Sequence, residues 1–270
     1  MSFFSRKKLP SQPNSAAKLT FEESAGLVVK SAHVVGESSQ QSLEILHDIT
    51  VTLKHPKTAV LGLNGSGKST FLKLFNGLID CSSGTVQVHG VDVDQNITAI
   101  RRRVGLLFSD PQSQLIMPTP VEDVELSLHH ENLEPGERRR RAVELLTQRG
   151  LGERAEHSVF QLSGGERQLT ALVAVLAVEP RVLLLDEPTT LLDLRNKLRF
   201  TELLHSLPQQ MVISTHDLEL AEECDQALII HEGRLLAQGS AQQIVEEYRS
   251  YCAQGFPPST EQEIEQIRDE

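Results

Sequence analysis

Five short apolar runs punctuate the chain, each bounded by polar residues: Thr58-Ala-Val-Leu61, Val104-Gly-Leu-Leu-Phe108, Val182-Leu-Leu-Leu185, Met211-Val-Ile-Ser214 and Ala227-Leu-Ile-Ile230. Continuous runs of this length, without polar alternation, predict strands buried on both faces of a largely parallel sheet. Helical patterns fall between them, so the order of elements predicts an α/β layered fold. From about 110 to 178 the pattern changes. Helical periodicity runs through Glu137–Gln148 and again from Glu166 to Val178 with no strand-like run between, which predicts a helical insertion. Polar residues dominate 1–20, read as a disordered leader, and 251–270, read as an acidic tail. The domain proper is expected over 21–250, and no internal repeat interrupts it.

Composition narrows the classes. In 270 residues, 37 Asp and Glu face 26 Lys and Arg, a formal net charge of -11. This argues against a chain whose main work is neutralising nucleic-acid phosphates. Four consecutive arginines, Arg138–Arg141, are flanked by Glu134, Glu137 and Glu144 and would spread around a helix, so a solvated helix face is expected there. Cys81, Cys224 and Cys252 stand in no paired or metal-ligand spacing and read as small buried hydrophobes in a reducing compartment. The longest apolar run, Ala171–Val178, is far short of the roughly 20 residues that span a bilayer. Polar residues follow Lys8 where a secretion signal needs an apolar segment, so a cytosolic chain is expected.

Gly62-Leu-Asn-Gly-Ser-Gly-Lys-Ser-Thr70 fits the phosphate-loop pattern, with a strand before it and a helix pattern, Thr70–Phe75, after it. Glycines at 62, 65 and 67 let the backbone turn its N–H groups toward negative charge at a helix N-terminus. Lys68 is then placed to reach the β and γ phosphates and the Ser69 hydroxyl to ligate Mg²⁺. Nucleoside triphosphate binding follows from this motif.

A second motif, Arg181-Val-Leu-Leu-Leu-Asp-Glu-Pro188, is an apolar strand ending in two carboxylates. Asp186 is suited to hold Mg²⁺ and Glu187 to polarise an attacking water. Leu162-Ser-Gly-Gly-Glu-Arg-Gln168 lies upstream and Ile213-Ser-Thr-His-Asp217 downstream. With all four motifs in this order, residues 22 to 250 resemble an ABC-type ATPase, the nucleotide-binding subunit of an ATP-binding-cassette system. The resemblance implies a P-loop NTPase fold: a RecA-like parallel-sheet core, an N-terminal antiparallel β subdomain and an inserted α-helical subdomain. It also implies ATP and Mg²⁺ as ligands. Gly62, Leu63, Asn64, Gly65, Ser66, Gly67, Lys68, Ser69 and Thr70 would hold the nucleotide. Ser163, Gly164 and Gly165 would bind the γ-phosphate of ATP held by a second subunit, His216 would contact that phosphate and orient water, and Asp193 would lie at the subunit boundary. One complete set of half-sites makes a homodimer sufficient.

Phe108–Val124 is similar to the matching segment of energy-coupling factor (ECF) importer ATPases: Pro111, Gln114, Leu115, Pro118, Thr119, Glu122, Asp123 and Val124 fit, while Ser109 and Pro120 do not. Among these, Glu187–Asn196 looks most like the biotin-importer subunit, with cobalt or nickel importer ATPases the alternative and a non-transport scaffold further off. Such a subunit works on integral membrane coupling and substrate-binding partners from the cytoplasmic face, with no nucleic acid involved. A long coiled-coil insertion, as in DNA-repair ABC ATPases, has no room between Ser109 and Ser163.

Two departures from the family stand out. Ser109 occupies the place of an expected glutamine, leaving Gln112, Gln114 or the Ser109 hydroxyl as substitutes and Mg²⁺ held chiefly by Ser69 and Asp186. In Leu27–Gly36, where an adenine-stacking aromatic is expected, only His33 offers a ring. Base discrimination should therefore be weak: phosphate release from GTP is expected at a rate comparable to that from ATP, and a strong preference for ATP in the same assay would contradict this.

Overall fold

The computed structural model describes residues 19–37 and 42–258. In chain order the elements are β1 (Leu27–Glu37), β2 (Ser42–Leu53), β3 (Lys57–Leu61), α1 (Lys68–Leu74), β4 (Ser83–Val88), β5 (Val91–Asp92), α2 (Ile97–Arg103) and β6 (Val104–Leu107). Then follow α3 (Pro120–Ser127), α4 (Pro135–Gln148), α5 (Gly164–Leu176), β7 (Val182–Asp186), α6 (Leu194–Ser206) and β8 (Gln210–Ser214). The chain closes with α7 (Leu218–Glu222), β9 (Gln226–His231), β10 (Arg234–Ser240) and α8 (Ala241–Gln254). All five apolar runs are strands. The chain divides into two compact units, 1–101 with 221–270, and 102–220.

In the first unit, β1 pairs antiparallel with β2 and β4, and β5 adds to β4, giving the antiparallel sheet β2-β1-β4-β5. A second set joins β3 in parallel to β9 with Ala59 opposite Ala227, and β10 returns antiparallel on β9. The sheet is thus mixed at its end, because a tight turn at Glu232–Gly233 can connect only antiparallel neighbours. Phe71 of α1 and Phe75, which caps it, meet edge to face at 5.2 Å in the buried core.

In the second unit β6, β7 and β8 are parallel, with Leu106 opposite Leu184 and Leu184 opposite Val212. Every element from Pro111 to Leu176 is helical. These helices have a core of their own, built on Val121, Val124, Leu128, Ala142, Leu146, Leu151, Ala155, Val173 and Ala177. Segment 108–124 is folded largely by its own polar side chains. The Gln114 amide donates to the Leu106 carbonyl (3.1 Å) and accepts from the Phe108 N–H (2.9 Å), the Glu122 carboxylate accepts from Thr119, and buried Asp123 accepts the N–H groups of Ile116 and Met117. Burial pushes the Asp123 carboxyl up from its ordinary value, against those N–H groups, which lower it.

The arginine run lies on α4 with its four residues exposed or half-exposed, the solvated face expected of it; among the described residues Arg141 pairs with the flanking Glu144 at 3.7 Å, and Arg139 with the more distant Glu125 (2.9 Å) and Glu156 (2.6 Å). These partners come from elsewhere in the chain and have no signature in local sequence. Helix α8 continues to Gln254, into the stretch read as tail, while 1–18 and 259–270 lie outside the described residues. Cys224 is buried, and desolvation pushes its thiol up to about 12, but Cys252 on α8 is exposed and is no core residue.

Candidate active site

Gly62–Gly67 crosses from β3 to α1 in a conformation that depends on the absence of side chains. A Cβ on Gly62 would lie 2.2 Å from the Ile230 carbonyl oxygen, and Gly67, at φ 103, occupies the left-handed region as it caps α1. The turn between β9 and β10 supports the loop from outside: the Gly233 N–H donates to the Ser66 carbonyl (3.0 Å), and the Gly233 carbonyl accepts from the His47 N–H (2.9 Å). Lys68 is buried, and its ammonium donates to the carbonyls of Gly62 (2.7 Å) and Leu63 (3.1 Å). The loop thus curls around its own cation. The Ser66 hydroxyl is buried without a hydrogen-bond partner. Ser69 and Thr70 follow Lys68 in the first turn of α1, while Leu63, Asn64 and Gly65 are exposed.

In the second unit the parallel register sets Asp186 opposite Ser214 at the C-terminal ends of β7 and β8. Asp186 is buried and accepts from the Ser214 hydroxyl at 2.5 Å. One residue on, Glu187 sits at φ 48 with its N–H on the Ser214 carbonyl (2.9 Å). Its carboxylate oxygen Oε2 meets His216 Nδ1 at 2.6 Å and accepts from the Thr190 hydroxyl at 3.2 Å. Adjacent Asp186 and Glu187 and, 29 residues beyond Glu187, His216 are therefore one cluster, with the Glu187 carboxylate half-buried and the imidazole 61% exposed.

The signature begins α5. Ser163 is its N-cap and accepts from the Glu166 N–H, and the Glu166 carboxylate accepts in return from the Ser163 N–H (2.8 Å), a capping box. Arg154 donates to the other Glu166 oxygen at 2.9 Å. A Cβ on Gly164 would lie 3.3 Å from the Leu191 carbonyl and one on Gly165 2.8 Å from the Asn196 side chain, so the start of α5 packs closely on the start of α6. Asp193 caps α6 by accepting from the Asn196 N–H at 2.8 Å. Gln168, which had no assigned role, is buried and donates to the Pro188 carbonyl (3.1 Å), linking the signature helix to the turn after Glu187.

Sequence reasoning missed other groups as well. Ser214 and Thr190 orient the two carboxylates, and Lys197 on α6 bridges Asp217 (2.7 Å) and Glu219 (3.1 Å) in the segment that follows His216. Ser214 could have been found from its place at the end of an apolar run beside His216; Lys197 left no such signal. Of the candidates for the missing glutamine, Gln114 is committed at both ends of its amide to the end of β6, which leaves Ser109 and Gln112, both exposed.

Comparison with known proteins agrees with these features. The family profile described as ABC transporter matches residues 46–190. The biotin transport ATP-binding protein BioM of Rhizobium etli is 38% identical over 77% of this chain and 92% of its own length. The energy-coupling factor transporter ATP-binding protein EcfA1 of Latilactobacillus sakei is 33% identical over 80% of each. Among solved structures, the dimeric post-hydrolysis state of the ATP-binding cassette MJ0796 bound to ADP and Pi superposes with a TM-score of 0.73 at 27% identity, over 80% of this chain and 98% of that one. The chain belongs to the ABC transporter family, as an ATP-hydrolysing subunit with homologues in biotin and energy-coupling factor transport. No helix among the described residues is long and apolar enough to cross a membrane.

The capping box carries a pH dependence. The Ser163 backbone N–H, followed by the Ser163 side chain and Arg154, holds the Glu166 carboxyl below its ordinary value, with burial opposing. A carboxyl lowered by folding adds stability above its unfolded pKa and loses it as pH falls through the folded one. In urea unfolding, the stability gap between the native chain and Glu166→Gln is expected to shrink from about pH 6 to about pH 3.

Proposed function

We propose that this chain is the energy-coupling subunit of an ECF-type importer that carries a vitamin, biotin, through membrane partners, working as a homodimer on their cytoplasmic side. The observation that carries the hydrolytic part is the 2.6 Å contact between Glu187 and His216 at the ends of neighbouring parallel strands. Glu187 acts as the base that polarises water, and His216 orients that water against the γ-phosphate. Thr190 and the backbone of Ser214 hold the carboxylate in place. Lys68 exchanges its carbonyl partners in the loop for the β and γ phosphates of ATP, an anion that suits a buried ammonium better than neutral oxygens do. Gly62–Thr70 supply the remaining N–H groups, and Ser163–Gly165 with Asp193 serve the nucleotide of the second subunit.

A hydroxyl on Ser69 and a carboxylate on Asp186 are hard oxygen donors, the set that Mg²⁺ prefers. When bound, Mg²⁺ neutralises phosphate charge. The Ser214 hydroxyl, by donating to Asp186, keeps one carboxylate oxygen oriented. Support for the substrate comes from the BioM homologue and from the Glu187–Asn196 loop.

Two measurements test these assignments. Glu187→Gln is expected to lower steady-state hydrolysis by on the order of 10²-fold or more while an ATP-bound dimer accumulates in size-exclusion chromatography; a variant that hydrolyses normally would reassign the base. Reconstitution with its copurified membrane subunits is expected to take up labelled biotin but not Co²⁺ or Ni²⁺. Uptake of the metals instead would move the chain to the cobalt or nickel importers, and uptake of neither would leave only the ATPase.

A further inference from the structure

The unit 102–220 contains a cavity of about 510 Å³ that the catalytic cluster does not use. Part of its lining is apolar, a floor made by Leu151, Leu169, Leu192, Phe200 and Leu203, of which Leu151 and Phe200 are buried. Three elements enclose it: the end of α4 with the turn after it, the start of α5, and one face of α6. The close contact between Gly165 and Asn196 holds α5 and α6 together at their starts, and both residues line the cavity.

The charged groups of its lining differ in what already satisfies them. Glu166 has the Ser163 N–H on one oxygen and Arg154 on the other. Arg149 and Arg199 make no ion pair and no side-chain hydrogen bond among the described residues. Two unpaired guanidiniums beside an apolar floor, in a volume within the range of roughly 300–1,000 Å³ typical of small-molecule sites, match an anionic head joined to an apolar body. The guanidinium fork suits a carboxylate or phosphate head, and a floor of leucine and phenylalanine gives a bare inorganic anion nothing further to gain.

We propose that this cavity is a binding site for a small organic anion with an apolar body, the head placed against Arg149 and Arg199 and the body on the floor. Ser163, Gly165 and Glu166 form part of its wall, so an occupant would touch the turn that begins the signature helix.

Calorimetric titration of octanoate into the full-length chain, without nucleotide, tests the site independently of any hydrolytic activity. Octanoate is expected to bind one to one, with acetate (head alone) and octanol (body alone) each weaker by about tenfold or more. The double variant Arg149→Gln, Arg199→Gln is expected to weaken octanoate by about tenfold with an unchanged circular dichroism spectrum. Leu203→Trp, which fills the floor and keeps both arginines, is expected to abolish binding. Absence of saturable octanoate binding up to about 10 mM, octanol binding as tightly as octanoate, or binding that persists in either variant overturns the proposal.

Discussion

The parallel register of β7 and β8 is the constraint on which the chemistry of this chain rests. With Asp186 opposite Ser214, the residues that follow each strand emerge side by side at one sheet edge, and a shift of one residue would turn the side chains to opposite faces. The apolar runs that fix the register are buried along their whole length, so a slip would also expose leucines that now have no contact with water. Hydrophobic burial thereby brings the carboxylate and the imidazole to one edge, and the Thr190 hydroxyl and the backbone around Ser214 complete the 2.6 Å contact locally.

The phosphate loop shows a different division of labour. Its own glycines permit the curl, but the shape is held from outside, by the Ile230 carbonyl against Gly62 and by the Gly233 N–H on Ser66. These supports come from the end of β9 and the β9–β10 turn, about 170 residues further along the chain. The turn in turn accepts the His47 N–H, so strands from opposite ends of the chain meet at the loop.

How much was legible in the sequence follows from the range of the interactions. The five core strands and the phosphate loop were readable because apolar runs and glycine spacing are local signals. The four motifs pointed to Asp186, Glu187 and His216 for the same reason, and the fold brings these three together at one sheet edge. Lys197 was not readable, since its partners Asp217 and Glu219 lie across a helix, a strand and two turns. The partners of Arg139 were not readable either, since the geometry of α4 delivers it to Glu125 and Glu156, 14 and 17 residues away in sequence. Segment 108–124 is the more instructive case. Gln114, Thr119, Glu122 and Asp123 carried the resemblance to a transporter class that the BioM and EcfA1 homologues bear out, and in the fold they also bond backbone and side chains of the segment and of the end of β6 before it. Those residues are explained by the making of a turn, which leaves exposed Ile116 as the apolar side chain of the segment with no such local duty.

Glu187 holds its backbone at φ 48, a region that costs a residue with a Cβ roughly 1–2 kcal/mol and a glycine almost nothing. The backbone alone would be better served by glycine at this position, and the carboxylate is held there at that cost. Selection for thermal robustness and selection for turnover therefore pull this one site in opposite directions. A search for hardier variants of the chain that scored only survival of the fold would tend to erase its chemistry here first.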